Sequence, residues 1–167
     1  MQTTRSIRAY LSGAMEHAPD GGRLWRDETE AFLRDRLGHA AYNPARDVRK
    51  NLTDAELAGF RGWKRTDPVR FRAVIRKIIH YDLDILERDA DYVVCLWDEW
   101  SQRGGGTHGE LTTAFRRGIP VYMVTRLPLD GISGWVLGCC AEIFPSFDAL
   151  QEFLLHRYGD GGKEPGT

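Results

Sequence analysis

Glu110 is the side chain best placed to do chemistry in this chain, because of where its neighbours would put its carboxylate. Val93 to Leu96, inside Asp91-Tyr-Val-Val-Cys-Leu-Trp-Asp98, form a short, nearly unbroken apolar run of the kind a parallel strand covered on both faces requires. Gly104-Gly-Gly then ends regular structure, and Glu110, Leu111, Ala114 and Phe115 return at helical spacing. The pattern predicts Glu110 in the first turn of a helix that starts where the strand's C-terminal end opens to solvent, the edge at which open α/β sheets hold their active sites. Unpaired N–H groups and the dipole at a helix N-terminus favour an anion, so this carboxylate is expected to stay ionised. Asp82, Asp84 and Asp98 are candidate partners for it. Tyr10 is a candidate to hold Glu110 through its phenol, and Ser12 can donate to a ligand hydroxyl or phosphate in a Ser12-Gly13-Ala14 loop whose glycine sets no side-chain barrier.

The elements that must position these groups alternate between strand and helix. Ile7 to Leu11 reads as the first strand. Leu24, Trp25, Thr29, Phe32, Leu33 and Leu37 keep a 3.6 period from about Arg23 to a stop at Gly38. Ala40 to Tyr42 is a second strand, ended by Asn43-Pro44. Residues 45–66 read as an insertion or lid over the strand ends, with a capping box at Thr53 and Glu56 followed by Phe60 and Trp63. Asp67-Pro68 opens a long helix to about Arg88 that feeds the Asp91 strand. Gly118 to Val124 is the next strand, Ile132 to Leu137 a brief helix, Glu142 to Phe144 a last strand, and Ser146 caps a final helix to Tyr158. The alternation predicts one α/β domain over residues 1–158, with a three-layer, mostly parallel five-stranded sheet, helices on both faces and a flavodoxin-like, Rossmann-like order. In that order the first and third strands are neighbours, which would bring Tyr10 to Met15 beside Asp98 to Glu110. Residues 159–167 are expected to be a flexible tail.

Composition narrows the chemistry. A net charge of −1 over 167 residues, without a long basic run, points away from a nucleic-acid polymer and toward a small-molecule partner. Three cysteines without a CxxC spacing and five scattered histidines argue against disulfides and a metal centre. No GxGxxG follows the first strand, so no dinucleotide fingerprint is present. No stretch reads as a signal peptide or a membrane span, and a cytoplasmic protein without membrane partners is expected.

Taken together these segments resemble the nucleoside 2-deoxyribosyltransferase-like family, which holds transferases that exchange nucleobases and N-glycosidases that hydrolyse nucleotides. Ile7-Arg-Ala-Tyr-Leu-Ser-Gly-Ala-Met15 is similar to the family's first strand and substrate loop, and Tyr42-Asn-Pro-Ala-Arg46 to the end of its second strand. Asp82 to Val94 is similar to its Asp-bearing helix and AD-x-VV strand, and Gly106-Thr-His-Gly-Glu110, Ala114 and Gly118-Ile-Pro-Val121 to its G-T-x-x-E, A and G-K-P-V pattern. Gly104 stands where the transferases carry an acid and several hydrolases a serine, and the helix aspartate is one residue out of register.

The resemblance implies N-glycosyl transfer or hydrolysis at C1′ of a nucleoside or nucleotide without a metal or other cofactor, with Glu110 as nucleophile and Asp82, ahead of Asp84 and Asp98, assisting the departing base. Gly106 and Thr107 would line the substrate site, as would Ser12, Gly13 and Ala14. Gly21-Gly22-Arg23 is similar to a glycine–arginine element of the nucleotide hydrolases, which suggests Arg23 as a phosphate counter-charge at a helix start. Trp97, beside Asp98, is the aromatic favoured to stack on a base. Relatives are often homo-oligomers that complete the pocket with a neighbouring subunit. The other reading is a catalytically inactive nucleotide-binding sensor or accessory domain of the same fold.

Overall fold

The structure, a computed structural model, describes residues 5–159. Five parallel strands form one sheet in the order β2-β1-β3-β4-β5: β1 is Arg8–Gly13, β2 Ala40–Tyr42, β3 Tyr92–Leu96, β4 Val121–Val124 and β5 Glu142–Phe144. This is the flavodoxin-like order expected from the alternation. Its register sets Tyr10 against both Tyr42 and Val93, and Gly13 against Leu96.

Side-chain alternation divides the interior into two layers, because successive strand residues point to opposite faces. Tyr10, Tyr42, Val93, Cys95, Val121 and Met123 pack with Leu86 of α3 (Pro68–Asp89) and with Leu111 and Ala114 of α5 (Gly106–Arg116). Ala9, Leu11, Tyr92, Val94, Tyr122 and Val124 pack on the other face with Leu33 and with Leu150 and Leu154 of α7 (Phe147–Tyr158). A sheet covered on both sides is why the β3 run is apolar at every position.

The helices begin largely where the sequence signals them. Asp20 accepts from the N–H groups of Gly22 and Leu24 at 2.8 and 2.9 Å and so starts α1 (Arg23–Phe32), which continues as a π-helical turn over Leu33–Leu37 to the left-handed Gly38 (φ 65). Thr53 and Glu56 close the expected capping box on α2 (Asp54–Thr66), Asp67 accepts from Arg70 N–H at the start of α3, and Ser146 caps α7. Two short helices are α4 (Glu99–Arg103), which the sequence reading lacked, and α6 (Gly134–Gly138).

Several expectations shift. β1 runs past Leu11 because Ser12 and Gly13 keep their pairing with Cys95 and Leu96, so both belong to the strand, and the loop begins at Ala14. Leu24 (65% exposed) stands outside the apolar stripe assigned to it, while Arg26 (1%) is inside. Within residues 45–66, α2 buries no residue; it packs along α3, with Arg70 stacked 3.6 Å over Trp63, and Lys64 reaches Glu16 of the β1–α1 loop at 3.3 Å. Of the tail, residues 160–167 lie outside the described residues. No helix among the described residues is long and apolar enough to cross a membrane.

Leu111 is fully buried where α5 meets the sheet, one residue after Glu110. Leu111→Ala is expected to cost about 2–5 kcal/mol, through lost apolar burial and a residual cavity, in urea unfolding followed by circular dichroism.

Candidate active site

The β1–β3 neighbourhood brings Glu110 over the C-terminal half of β1. Tyr10 and Ser12 are two residues apart in a strand, so both point to the face that α5 covers. Tyr10 Oη donates to Glu110 Oε1 at 2.8 Å, and Ser12 Oγ donates to Oε2. Both donors are fully buried, and each carboxylate oxygen thus has its own hydroxyl. Ser12 therefore orients Glu110 rather than projecting from a loop toward a phosphate.

Glu110 is also one turn deeper than expected. α5 begins at Gly106, with Gly105 as its N-cap, so Glu110 is the helix's fifth residue and no acid lies in the first turn. The helix-end N–H groups are not what governs its charge. Burial pushes the Glu110 carboxyl above the usual carboxylate range; the hydrogen bonds from Ser12 and Tyr10 oppose that shift, the negative charge of Asp82 adds to it, and the guanidinium of Arg26 works against it. Tyr10 is pushed well above an ordinary phenol, first by burial and then by the Glu110 charge, so it stays a donor.

Arg26 went unrecognised in the sequence. It donates through Nε to Leu11 O at 3.1 Å, through Nη1 to Gly22 O at 2.7 Å and Ala14 O at 3.3 Å, and through Nη2 to Gly13 O at 2.7 Å. One buried guanidinium thereby ties the end of β1 and its loop to α1. Gly22 is left-handed (φ 72), and a Cβ there would collide with the Arg26 guanidinium and the Ala14 carbonyl. At Gly13 a Cβ would come within 3.0 Å of the Trp25 ring and 3.2 Å of Leu96 O. The one available signal was helical spacing, since Arg26 shares its face with the buried Thr29 and Leu33.

The three aspartates separate clearly. Asp84 is exposed and pairs with Arg88 at 3.1 Å, one turn along α3. Asp98 caps α4, accepting from the N–H groups of Trp100 and Ser101 at 3.0 and 2.8 Å. Asp82 points inward: its Oδ1 accepts from Tyr42 Oη at 3.1 Å and from Lys50 Nζ, and the Tyr42 ring lies 5.2 Å from that of Tyr10. Asp82 is thus the aspartate that the structure brings to the Glu110 cluster, through two tyrosines.

Other candidates sit apart. Trp97 is 1% exposed, in the core with the His108 ring at 4.8 Å, because it continues the inward alternation of Val93 and Cys95; it offers no face for stacking. The Arg23 side chain is exposed and makes no hydrogen bond or ion pair among the described residues, and the α1 N–H groups it would share with a phosphate are already engaged by Asp20. Thr107 is buried in the first turn of α5, while the Gly104–Gly106 stretch faces open space where a Cβ would meet nothing. A cleft of about 300 Å³ opens at the ends of β3 and β4, lined by Leu96, Trp97, Asp98, Arg126 and Phe147 among others; Glu110 does not line it. Among the described residues no group of three or more His, Cys, Asp or Glu could hold a metal ion.

A group whose pKa is raised by folding stabilises the fold fully below its ordinary pKa, and that contribution is lost as pH rises through the folded value. Glu110→Gln, whose amide can still pair with both hydroxyls, is therefore expected to be more stable than wild type at neutral pH. The difference should shrink as pH falls and wild-type Glu110 takes up its proton. Urea midpoints at a series of pH values measure this, and a Gln variant that is less stable at neutral pH would contradict it.

No protein-family model matches the chain, and no curated protein matches it, so the chemistry of the site rests on the residues themselves.

Proposed function

We propose that this protein breaks the N-glycosidic bond of a nucleoside or nucleotide, with Glu110 attacking C1′ and either water or a second base resolving the glycosyl-enzyme. The observation that carries the reading is the pair of buried hydroxyls, one on each oxygen of Glu110, at the junction of β1 and β3. An oxocarbenium-like transition state needs a fixed carboxylate beneath the anomeric carbon, and two donors fix this one in position and rotation. Asp82 lies at the other end of the Tyr10–Tyr42 ring contact, paired with Lys50. The resemblance of the β1, β3 and α5 segments to nucleoside 2-deoxyribosyltransferase-like proteins supports the same chemistry. The reading calls for no metal or redox cofactor.

Incubation with deoxynucleosides and their 5′-monophosphates, followed by chromatography of the released base, tests the reaction. Release without an acceptor means hydrolysis, and exchange that requires added base means transfer. Glu110→Ala is expected to lose at least about a hundredfold in rate. Tyr10→Phe, which removes one hydrogen bond to a charged group, should lose about ten- to a hundredfold. Because attack requires the anion and burial raises the pKa of Glu110, the rate should fall on the acid side at a higher pH than an ordinary glutamate would impose.

A second reading, a nucleotide-binding module without turnover, is favoured by one observation: Glu110 lines neither the cleft at the β3 and β4 ends nor the one of about 370 Å³ between α3 and α5. Thermal stabilisation by a nucleotide with no base released would select it, because a ligand that binds only the folded state raises stability by mass action.

A further inference from the structure

Lys50 holds an uncommon position. It is the one residue other than glycine with a positive φ (46) among the described residues, in the irregular segment between β2 and α2. That backbone conformation is unfavourable for a side-chain-bearing residue, so the surroundings must enforce it. They do: Lys50 N–H donates to Asp47 Oδ1 at 3.2 Å, and Asp47 Oδ2 in turn accepts from Tyr81 Oη at 2.7 Å. The strained turn sends an ammonium inward; the Lys50 side chain is only 8% exposed, and its Nζ meets Asp82 Oδ1.

Hydrogen-bond arithmetic shows why Asp82 needs this partner. Tyr42 Oη lies within reach of both Asp47 Oδ2 at 3.2 Å and Asp82 Oδ1 at 3.1 Å, but it has one proton for the two carboxylates. Lys50 supplies a donor to Oδ1 whichever way that proton points. Asp82 Oδ2 has no hydrogen-bond partner among the described residues. It is not a sealed orphan either, since among the described residues the buried side-chain polar atoms without partners are Arg8 Nε and Trp97 Nε1. One oxygen is pinned and the other is left open.

We propose that Lys50 is a positioning residue which makes Asp82 Oδ2 a fixed acceptor for a donor group, O–H or N–H, on the ligand. The inference rests on the nucleoside reading of the site and assigns Asp82 a different task within it. An ammonium paired with its Oδ1 makes Asp82 a carboxylate that receives a hydrogen bond from the substrate, so it orients substrate rather than protonating the departing base. A ligand group that can only accept, such as an unprotonated ring nitrogen, is not recognised there.

The test uses 2′-deoxyadenosine as the probe, with Kd from calorimetry and, where turnover is seen, KM and kcat. Asp82→Asn and Lys50→Met should each weaken binding roughly tenfold or more, with the loss in Kd and KM rather than in kcat. Lys50→Arg should recover much of it. The double variant should bind no worse than Asp82→Asn alone, because Lys50 acts through Asp82. It also leaves no charge unpaired, so it keeps the comparison readable if Lys50→Met alone does not fold. With 2′,3′-dideoxyadenosine or with purine 2′-deoxyriboside, the Asp82→Asn penalty should vanish for whichever lacks the donor, which separates a sugar hydroxyl from the exocyclic amine. Lys50→Met binding within twofold of wild type, or additive losses in the double variant, would overturn the proposal. Wild type that binds the probe without turnover ends the glycosyl-transfer reading and leaves this subsite standing. Turnover that is indifferent to Lys50 does the reverse.

Discussion

A carboxylate between a sheet and the helix that covers it loses its hydration, and the structure replaces that hydration at Glu110 with two hydroxyls. The substitution is incomplete, since burial still outweighs the hydrogen bonds and raises the pKa of the group. Much of the architecture around β1 serves this contact. Pairing with β3 carries β1 on to Gly13, so that Ser12 faces α5 instead of turning into a loop. Arg26 fixes the carbonyls just beyond, and it does so from the opposite layer of the molecule. Its positive charge partly offsets that of Glu110 without contacting it as an ion pair.

The two inward carboxylates are related through aromatic rings rather than through a direct contact. Glu110 holds Tyr10, Tyr10 packs on Tyr42, and Tyr42 reaches Asp82. The phenol of Tyr42 is pushed far above its ordinary pKa, chiefly by burial and then by Asp82 and Asp47. Tyr81 is pushed up to about 12, first by its hydrogen bond to Asp47. Raised in this way, these phenols keep their protons at neutral pH and act as donors, and like-charged carboxylates are kept apart by neutral rings. Among the described residues Lys50 is the one cation in hydrogen-bond contact with this cluster.

The sheet and its order were legible in the sequence because the runs at β3 and β4 are nearly unbroken apolar and several helices carry caps that can be read directly, at Thr53, Asp67 and Ser146. The pairing of Tyr10 with Glu110 was legible from strand order, since adjacent first and third strands leave little choice of neighbour. What was hidden follows from context overriding local chemistry. Ser12-Gly13 looks like a turn, but ladder pairing with β3 holds it as strand. Arg26 looks like a solvated charge until its carbonyl partners appear, and a burial pattern cannot supply those. Trp97 looks like a free aromatic beside an acid, yet inward alternation takes it into the core. Lys50 lies in a segment without periodicity, so nothing in spacing could have drawn attention to it.

In the proposed reaction Glu110 becomes covalently bonded to a sugar. Mass spectrometry of acid-quenched protein after incubation with a 2′-fluoro-2′-deoxynucleoside tests it most directly, because the electronegative substituent destabilises the oxocarbenium-like state and slows resolution of a glycosyl-enzyme. Wild type should gain the mass of the sugar on the peptide carrying Glu110, and Glu110→Gln should not. Base release with no adduct, or an adduct on another carboxylate, would contradict it.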